Sequence, residues 1–151
     1  MEKADNKPAL KGNKGGFTLV ELLITLLIMG ILAGIAVPIY LGQREKSINV
    51  EAQENLLALR QLLEQYYNEN GCYYKTGGAC SDATLYFNQT SNTIQTSLPG
   101  FRPGNASALY FSYNITTNTT ATRFVASAVR TSSNGGNIIF NINQDNNRSG
   151  F

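Results

Sequence analysis

The sequence predicts an α+β fold. A long N-terminal helix, its apolar half protruding, packs by its C-terminal half on a small antiparallel β-sheet of three to four strands. Three observations carry this expectation. Phe17 to Leu41 is almost wholly apolar, Gly42 to Asn70 repeats apolar residues at three and four, and beyond Ala108 the repeat shortens to two. At 151 residues and a net charge of +2, the chain is long enough for one domain with a modest core.

Residues 1–16, MEKADNKPALKGNKGG, are polar and lysine-rich and end in two glycines. They hold no apolar core of their own, so they are not a secretory signal of the usual kind. The expected cut is Gly16–Phe17, ahead of the apolar run, which keeps that run in the mature protein. An uncleaved cytoplasmic tail is the alternative. Lysines before an apolar span mark the cytoplasmic side and place the C-terminal part across the membrane.

Residues 17–41 form the apolar segment. As a helix at about 1.5 Å per residue it is about 38 Å long, enough to cross a bilayer core of about 30 Å. It contains one ionisable side chain, Glu21, and one proline, Pro38. A charge unpaired in hydrocarbon costs several kcal/mol, so Glu21 is a candidate functional residue. The plain alternative is a glutamate near the cytoplasmic face, snorkelling or paired with its own N-terminus. Gly30 and Gly34 lie four apart and allow close helix packing. They also weaken the helix, and Pro38 removes a backbone hydrogen bond and clashes with the Gly34 carbonyl. Gly30–Pro38 is thus a built-in weak point.

Residues 42–70 continue as an amphipathic helix. Ile48, Ala52, Leu56, Leu59, Leu62 or Leu63, and Tyr66 make one apolar stripe, with charged residues on other faces. Arg60 and Glu64 are spaced to pair at i,i+4. Asn68-Glu69-Asn70-Gly71 ends the helix, with Gly71 suited to a left-handed cap. An unbroken helix from Phe17 to Asn70 is about 80 Å long, more than a small domain can bury. Half of it must be covered by lipid or by copies of itself.

Residues 71–107 read as a connecting loop rich in Gly, Ser, Thr and Asn, with Leu85–Phe87 as a short strand candidate. Cys72 and Cys80 are an even pair at short spacing on the translocated side. In an oxidising compartment that reads as a disulfide, worth about 2–3 kcal/mol in the chain-entropy model. Two free thiols are the alternative. Residues 108–151 hold three better strands: Ala108–Ile115, Thr122–Arg130 and Asn137–Asn143. Short joints at Thr116–Ala121 and Ser132–Gly136 make an antiparallel meander the natural pairing. The sequons at Asn88, Asn105, Asn114 and Asn118 read as a Thr/Asn-rich surface.

From Phe17 onward basic and acidic residues are equal in number, which argues against nucleic-acid binding driven by bulk charge. The chain has no histidine, so the usual general base of an enzyme is missing, and no Ser or Cys sits in a nucleophile motif. No cofactor is implied and no metal site is expected. Asp145 stands among Asn141, Asn143, Asn146 and Asn147, too few carboxylates for calcium. Aromatics along the helix, Tyr40, Tyr66 and Tyr67, read as core or interface rather than a conducting stack.

At Gly15-Gly16-Phe17-Thr18-Leu19-Val20-Glu21 the sequence resembles a type IV prepilin of the pilin and pseudopilin superfamily, with a class III-type leader. The resemblance covers residues 11–70 and includes Pro38. It implies that a prepilin peptidase cuts Gly16–Phe17 on the cytoplasmic face and N-methylates the Phe17 amine. It implies a single inner-membrane span, then an inner-membrane assembly platform, then an extracellular helical homo-oligomeric filament cored by the N-terminal helices. Glu21 would meet the Phe17 ammonium of a neighbouring subunit and set register. In the family the helix often unwinds at the positions matching Gly30 to Pro38. A pseudopilin of a type II secretion system, or a minor pilin, shares the leader and helix and is the second reading.

Overall fold

The computed structural model describes residues 16–105, 108–131 and 138–151. Residues 1–15, where a leader is expected, and the Ser132–Gly136 joint lie outside the described residues. The chain forms two compact units, Met1–Gly42 and Gln43–Phe151.

Helix α1 runs from Leu19 to Asn70 and contains Gly30, Gly34 and Pro38 within it. The weak point is therefore helical in this structure. In the first unit every large apolar side chain from Leu19 to Leu41 is exposed. The best window of this helix has a mean hydropathy of 2.7, ample for a membrane span by length and composition. At the other end Gly71 takes φ +76 and its N–H donates to the Tyr67 carbonyl at 2.7 Å, a left-handed cap that a side chain would oppose.

In the second unit the amphipathic stripe of α1 divides by depth. Ala52, Leu56, Leu59 and Leu63 are buried, while Ile48, Leu62 and Tyr66 are half-buried at its margins. After α1 come β1 (Lys75–Thr76), β2 (Ala79–Cys80), β3 (Thr84–Phe87), α2 (Thr93–Ser97), β4 (Phe111–Thr117), β5 (Phe124–Arg130), β6 (Ile139–Asn143) and β7 (Arg148–Ser149). Strands β3 to β7 form one five-stranded antiparallel sheet in chain order, and β1 and β2 form a separate hairpin. The architecture is the α+β one expected. The strand count is higher than three to four, because the short candidate at Leu85–Phe87 joins one edge and Arg148–Ser149 the other.

One sheet face is apolar by strict alternation: Phe111, Tyr113 and Ile115 on β4, Phe124, Ala126 and Ala128 on β5, Phe140 and Ile142 on β6. Ala126 pairs with Ile115 and Ile142, and Ala128 with Tyr113 and Phe140. Small residues on the central strand between large ones leave room for the leucines of α1. Asn55 of α1 donates through Nδ2 to the Tyr113 hydroxyl at 2.9 Å, so the buried phenol is satisfied. Burial raises the Tyr113 hydroxyl to a pKa of about 12. Beyond β3, Ile94 of α2, Leu98 and Phe101 close the core, with Phe101 edge-on to both Phe87 and Tyr113.

Cys72 and Cys80 are joined by a disulfide that ties the β1–β2 hairpin to the end of α1. Next to it Tyr73 packs on Tyr67 and Phe124, each at 4.7 Å between ring centres. The C-terminal segment is held by more than the sheet pairing the sequence offered. Phe151 meets the Phe140 ring edge-on at 5.7 Å, the Arg148 guanidinium lies over Phe151 at 5.5 Å, and Arg60 donates to the Gln144 carbonyl at 3.1 Å. Gly150 is obligatory there: it has φ +84, and an added Cβ would lie 2.2 Å from the Ile139 carbonyl oxygen.

Candidate functional site

The candidate site is the start of α1. Phe17 precedes the helix and is 86% exposed. Thr18 caps it: its hydroxyl accepts from the Glu21 N–H at 3.2 Å and its carbonyl from the Leu22 N–H at 3.2 Å. Thr18-Leu19-Val20-Glu21 is thus one half of a capping box, a signal present in the sequence and passed over there. The reciprocal half, in which a carboxylate reaches back to the cap N–H, is not made. The Glu21 carboxylate has no hydrogen bond or ion pair among the described residues. Its place in the first turn, at the positive end of the helix dipole, suits a negative charge.

Gly16, Phe17 and Glu21 thus stand within about one helical turn, at the exposed N-terminal end of the apolar run. Gly30, Gly34 and Pro38 follow along the same helix. An added Cβ at Gly30 or Gly34 meets nothing within 4 Å, so packing inside the subunit does not demand glycine at either position. The third group of sequence candidates, Cys72 and Cys80, is bonded together in the other unit.

Four contacts in the second unit had no sequence signal. Glu45 and Arg130 form a bidentate ion pair, the one salt bridge among the described residues. The Arg130 side chain is 8% exposed, and Glu45 remains half-exposed. Hydrogen bonding from Arg130 holds the Glu45 carboxyl below the usual carboxylate range, burial opposes this, and the charges of Arg130 and Arg44 add to it. Arg44 donates to the Tyr110 hydroxyl and lies over its ring at 5.9 Å. The pairing of Arg60 with Glu64 is not found. Arg60 turns to the Gln144 carbonyl, while Glu64 accepts from the Tyr73 hydroxyl at 3.1 Å. Tertiary partners outcompete an exposed helix pair worth only tenths of a kcal/mol. Desolvation, with the Glu64 charge behind it, raises Tyr73 to a pKa of about 12.

The Glu45–Arg130 contact sets a testable pH dependence. Glu45 titrates lower when folded than its ordinary 4.5, so its contribution is present above that value and is lost as pH falls through the folded value. Glu45→Gln will lower the melting temperature of the full chain in detergent at pH 7, and the difference from wild type will shrink as pH falls below 4.5 and through the folded value. A difference that does not shrink at all as pH falls would show that the pair contributes through packing and not through charge.

These observations define a class: a chain with an N-terminal apolar helix long enough to cross a membrane and an α+β second unit. Residues 11–37 match the family described as "Prokaryotic N-terminal methylation motif". The N-terminal segment is thus similar to that of type II secretion core protein G and of a type IV major pilin. It is 36% identical over 66 residues to type II secretion system core protein G of Aeromonas hydrophila, which is 44% of this chain and 46% of that protein. It is 39% identical over 61 residues to the Vibrio cholerae core protein G, 40% of this chain and 42% of that one. It is 41% identical over 58 residues to the type IV major pilin protein PilA of Myxococcus xanthus, 38% of this chain and 26% of that one. The chain thus spans less than half the length of the curated relatives it matches. No solved structure matches it.

Proposed function

We propose that the chain is a type IV pilin: a non-catalytic structural subunit, cut at Gly16–Phe17 by a prepilin peptidase, N-methylated at Phe17 and assembled into a helical homo-oligomeric filament. The observation that carries this is an apolar helix with every large side chain from Leu19 to Leu41 exposed and a single carboxylate, Glu21, in its first turn that has no partner among the described residues. Such a surface must be covered. Lipid covers it while the chain is a single-span inner-membrane protein, and parallel helices of other copies cover it in the filament. Glu21 then has a partner in both settings: interfacial water in the first, the Phe17 ammonium of a neighbour in the second. Gly30 and Gly34, open on the subunit, offer those neighbouring helices a close approach. Gly30–Pro38 is the segment we expect to loosen on assembly, drawing on helix propensity.

A pseudopilin of a type II secretion system is the second reading, favoured by the similarity to core protein G. Both readings imply an inner-membrane assembly platform. Electron microscopy of cells with and without the gene, with antibody to the second unit, separates them. Long labelled surface fibres support the pilin; their absence together with lost secretion supports the pseudopilin; neither would overturn both.

A further inference from the structure

The charged residues of α1 beyond Gly42 are mostly committed within the subunit. Arg44 is held by Tyr110, Glu45 by Arg130, Arg60 by the Gln144 carbonyl, Glu64 by Tyr73 and Glu69 by Gln65. Lys46, Glu51 and Glu54 remain, exposed and without a hydrogen bond or ion pair among the described residues. Lys46, Val50, Glu54 and Ala58 recur every four residues, so they form one ridge on the helix. All four are exposed, and Val50 is a large apolar side chain left 52% exposed between the two charges. The buried stripe of Ala52, Leu56 and Leu59 faces the other way.

The order along this ridge is basic, apolar, acidic, small. Lys46 and Glu54 are eight residues apart, about 12 Å along the axis. Two parallel copies placed level with each other oppose Lys46 to Lys46 and Glu54 to Glu54, which repels. Displacing one copy by about 12 Å brings Lys46 of one against Glu54 of the other and Val50 against Ala58. Glu51, one helical turn before Glu54, adds to the negative field that Lys46 meets.

We propose that this ridge is a second contact between parallel copies of the chain, in which Lys46 of one copy pairs with Glu54 of the next and the level arrangement is rejected by like charge. This rests on the filament reading above. It deepens that reading by giving the head-bearing half of α1 its own means of selecting a stagger, separate from Glu21. Each copy uses its basic end toward one neighbour and its acidic end toward another, so the contact is head-to-tail and open-ended, as a filament requires.

The test uses the full chain expressed with its assembly machinery. Lys46→Glu and Glu54→Lys should each lower filament yield about tenfold, and the combined reversal should restore it to within about twofold, since it recreates the pair with its polarity exchanged. As an independent readout, a chain carrying Lys46→Cys and Glu54→Cys should give a ladder of disulfide-linked multimers in sheared filaments, whereas Lys46→Cys alone should not. Normal yield from both single reversals, or filaments of the double-cysteine chain that give no ladder, would overturn the contact while leaving the filament reading intact. A wild-type chain that makes no filament at all overturns that reading and this contact with it.

Discussion

Glu21→Ala will abolish filament assembly and leave membrane insertion intact. Glu21 sits in the first turn of α1, a few residues from Phe17, with its carboxylate unpartnered among the described residues. In the filament reading the Phe17 ammonium of each incoming subunit is taken out of water. Removing one member of a desolvated charge pair leaves the other uncompensated, at a cost of about 3–5 kcal/mol. Per subunit added, that is a loss of more than about a hundredfold in affinity, and a polymer is sensitive to every step. Insertion responds in the opposite sense, because deleting a charge from an apolar helix eases its entry into lipid. The cap does not confuse the result: Thr18 accepts the backbone N–H of residue 21, which alanine retains. Glu21→Gln keeps the shape without the charge and should fail like alanine, whereas Glu21→Asp should retain part of the yield. The measurements are sheared-filament yield and membrane-fraction content of the processed chain. Normal filaments from Glu21→Gln would end the charge argument.

Features with a short sequence period were readable in advance, and those made across the fold were not. The apolar run, the stripe ending at Tyr66, the Gly71 cap and the alternation on β4 and β5 are all local, each written within a few turns or residues. The strand starts are less legible: the sequence pattern predicts strands from Ala108 and Thr122, yet β4 begins at Phe111 and β5 at Phe124. Asn118 explains the second, since its side-chain Oδ1 accepts from the N–H groups of Thr122 and Arg123 and holds them in the turn. At the sheet edges, Thr84–Phe87 and Arg148–Ser149 are too short for alternation to register, and pairing with a finished neighbour decides their state. Glu45 and Arg130 lie 85 residues apart, and nothing in either local pattern announces the other. Lys46 is the converse case. Its sequence setting matches that of Arg44 and Glu45, and only after those two find partners does it stand out as the uncommitted cation of its turn.

Leu59→Ala will strip the second unit of much of its stability without touching the span. Leu59 is fully buried in the cluster that joins α1 to the sheet, with Leu56 and Leu63 as neighbours along the stripe. The sheet cannot refill the space cheaply. Its central strand presents Ala126 and Ala128, whose methyl groups cannot reach into the space, and the flanking Tyr113 hydroxyl is already tied to Asn55. A leucine deleted under such conditions costs about 2–5 kcal/mol, transfer and cavity together. A small domain has about 5–15 kcal/mol in all, so the variant will unfold at markedly lower denaturant and be cut by protease where wild type resists. Leu26→Ala serves as the control: Leu26 is 58% exposed in the apolar segment, and its loss should leave unfolding of the second unit within about 0.5 kcal/mol of wild type. Both variants are compared as full chains in detergent by urea unfolding. Should Leu59→Ala fall within about 1 kcal/mol of wild type, the helix is not held to the sheet by this stripe, and a rigid head can no longer be assumed to follow its helix into the filament.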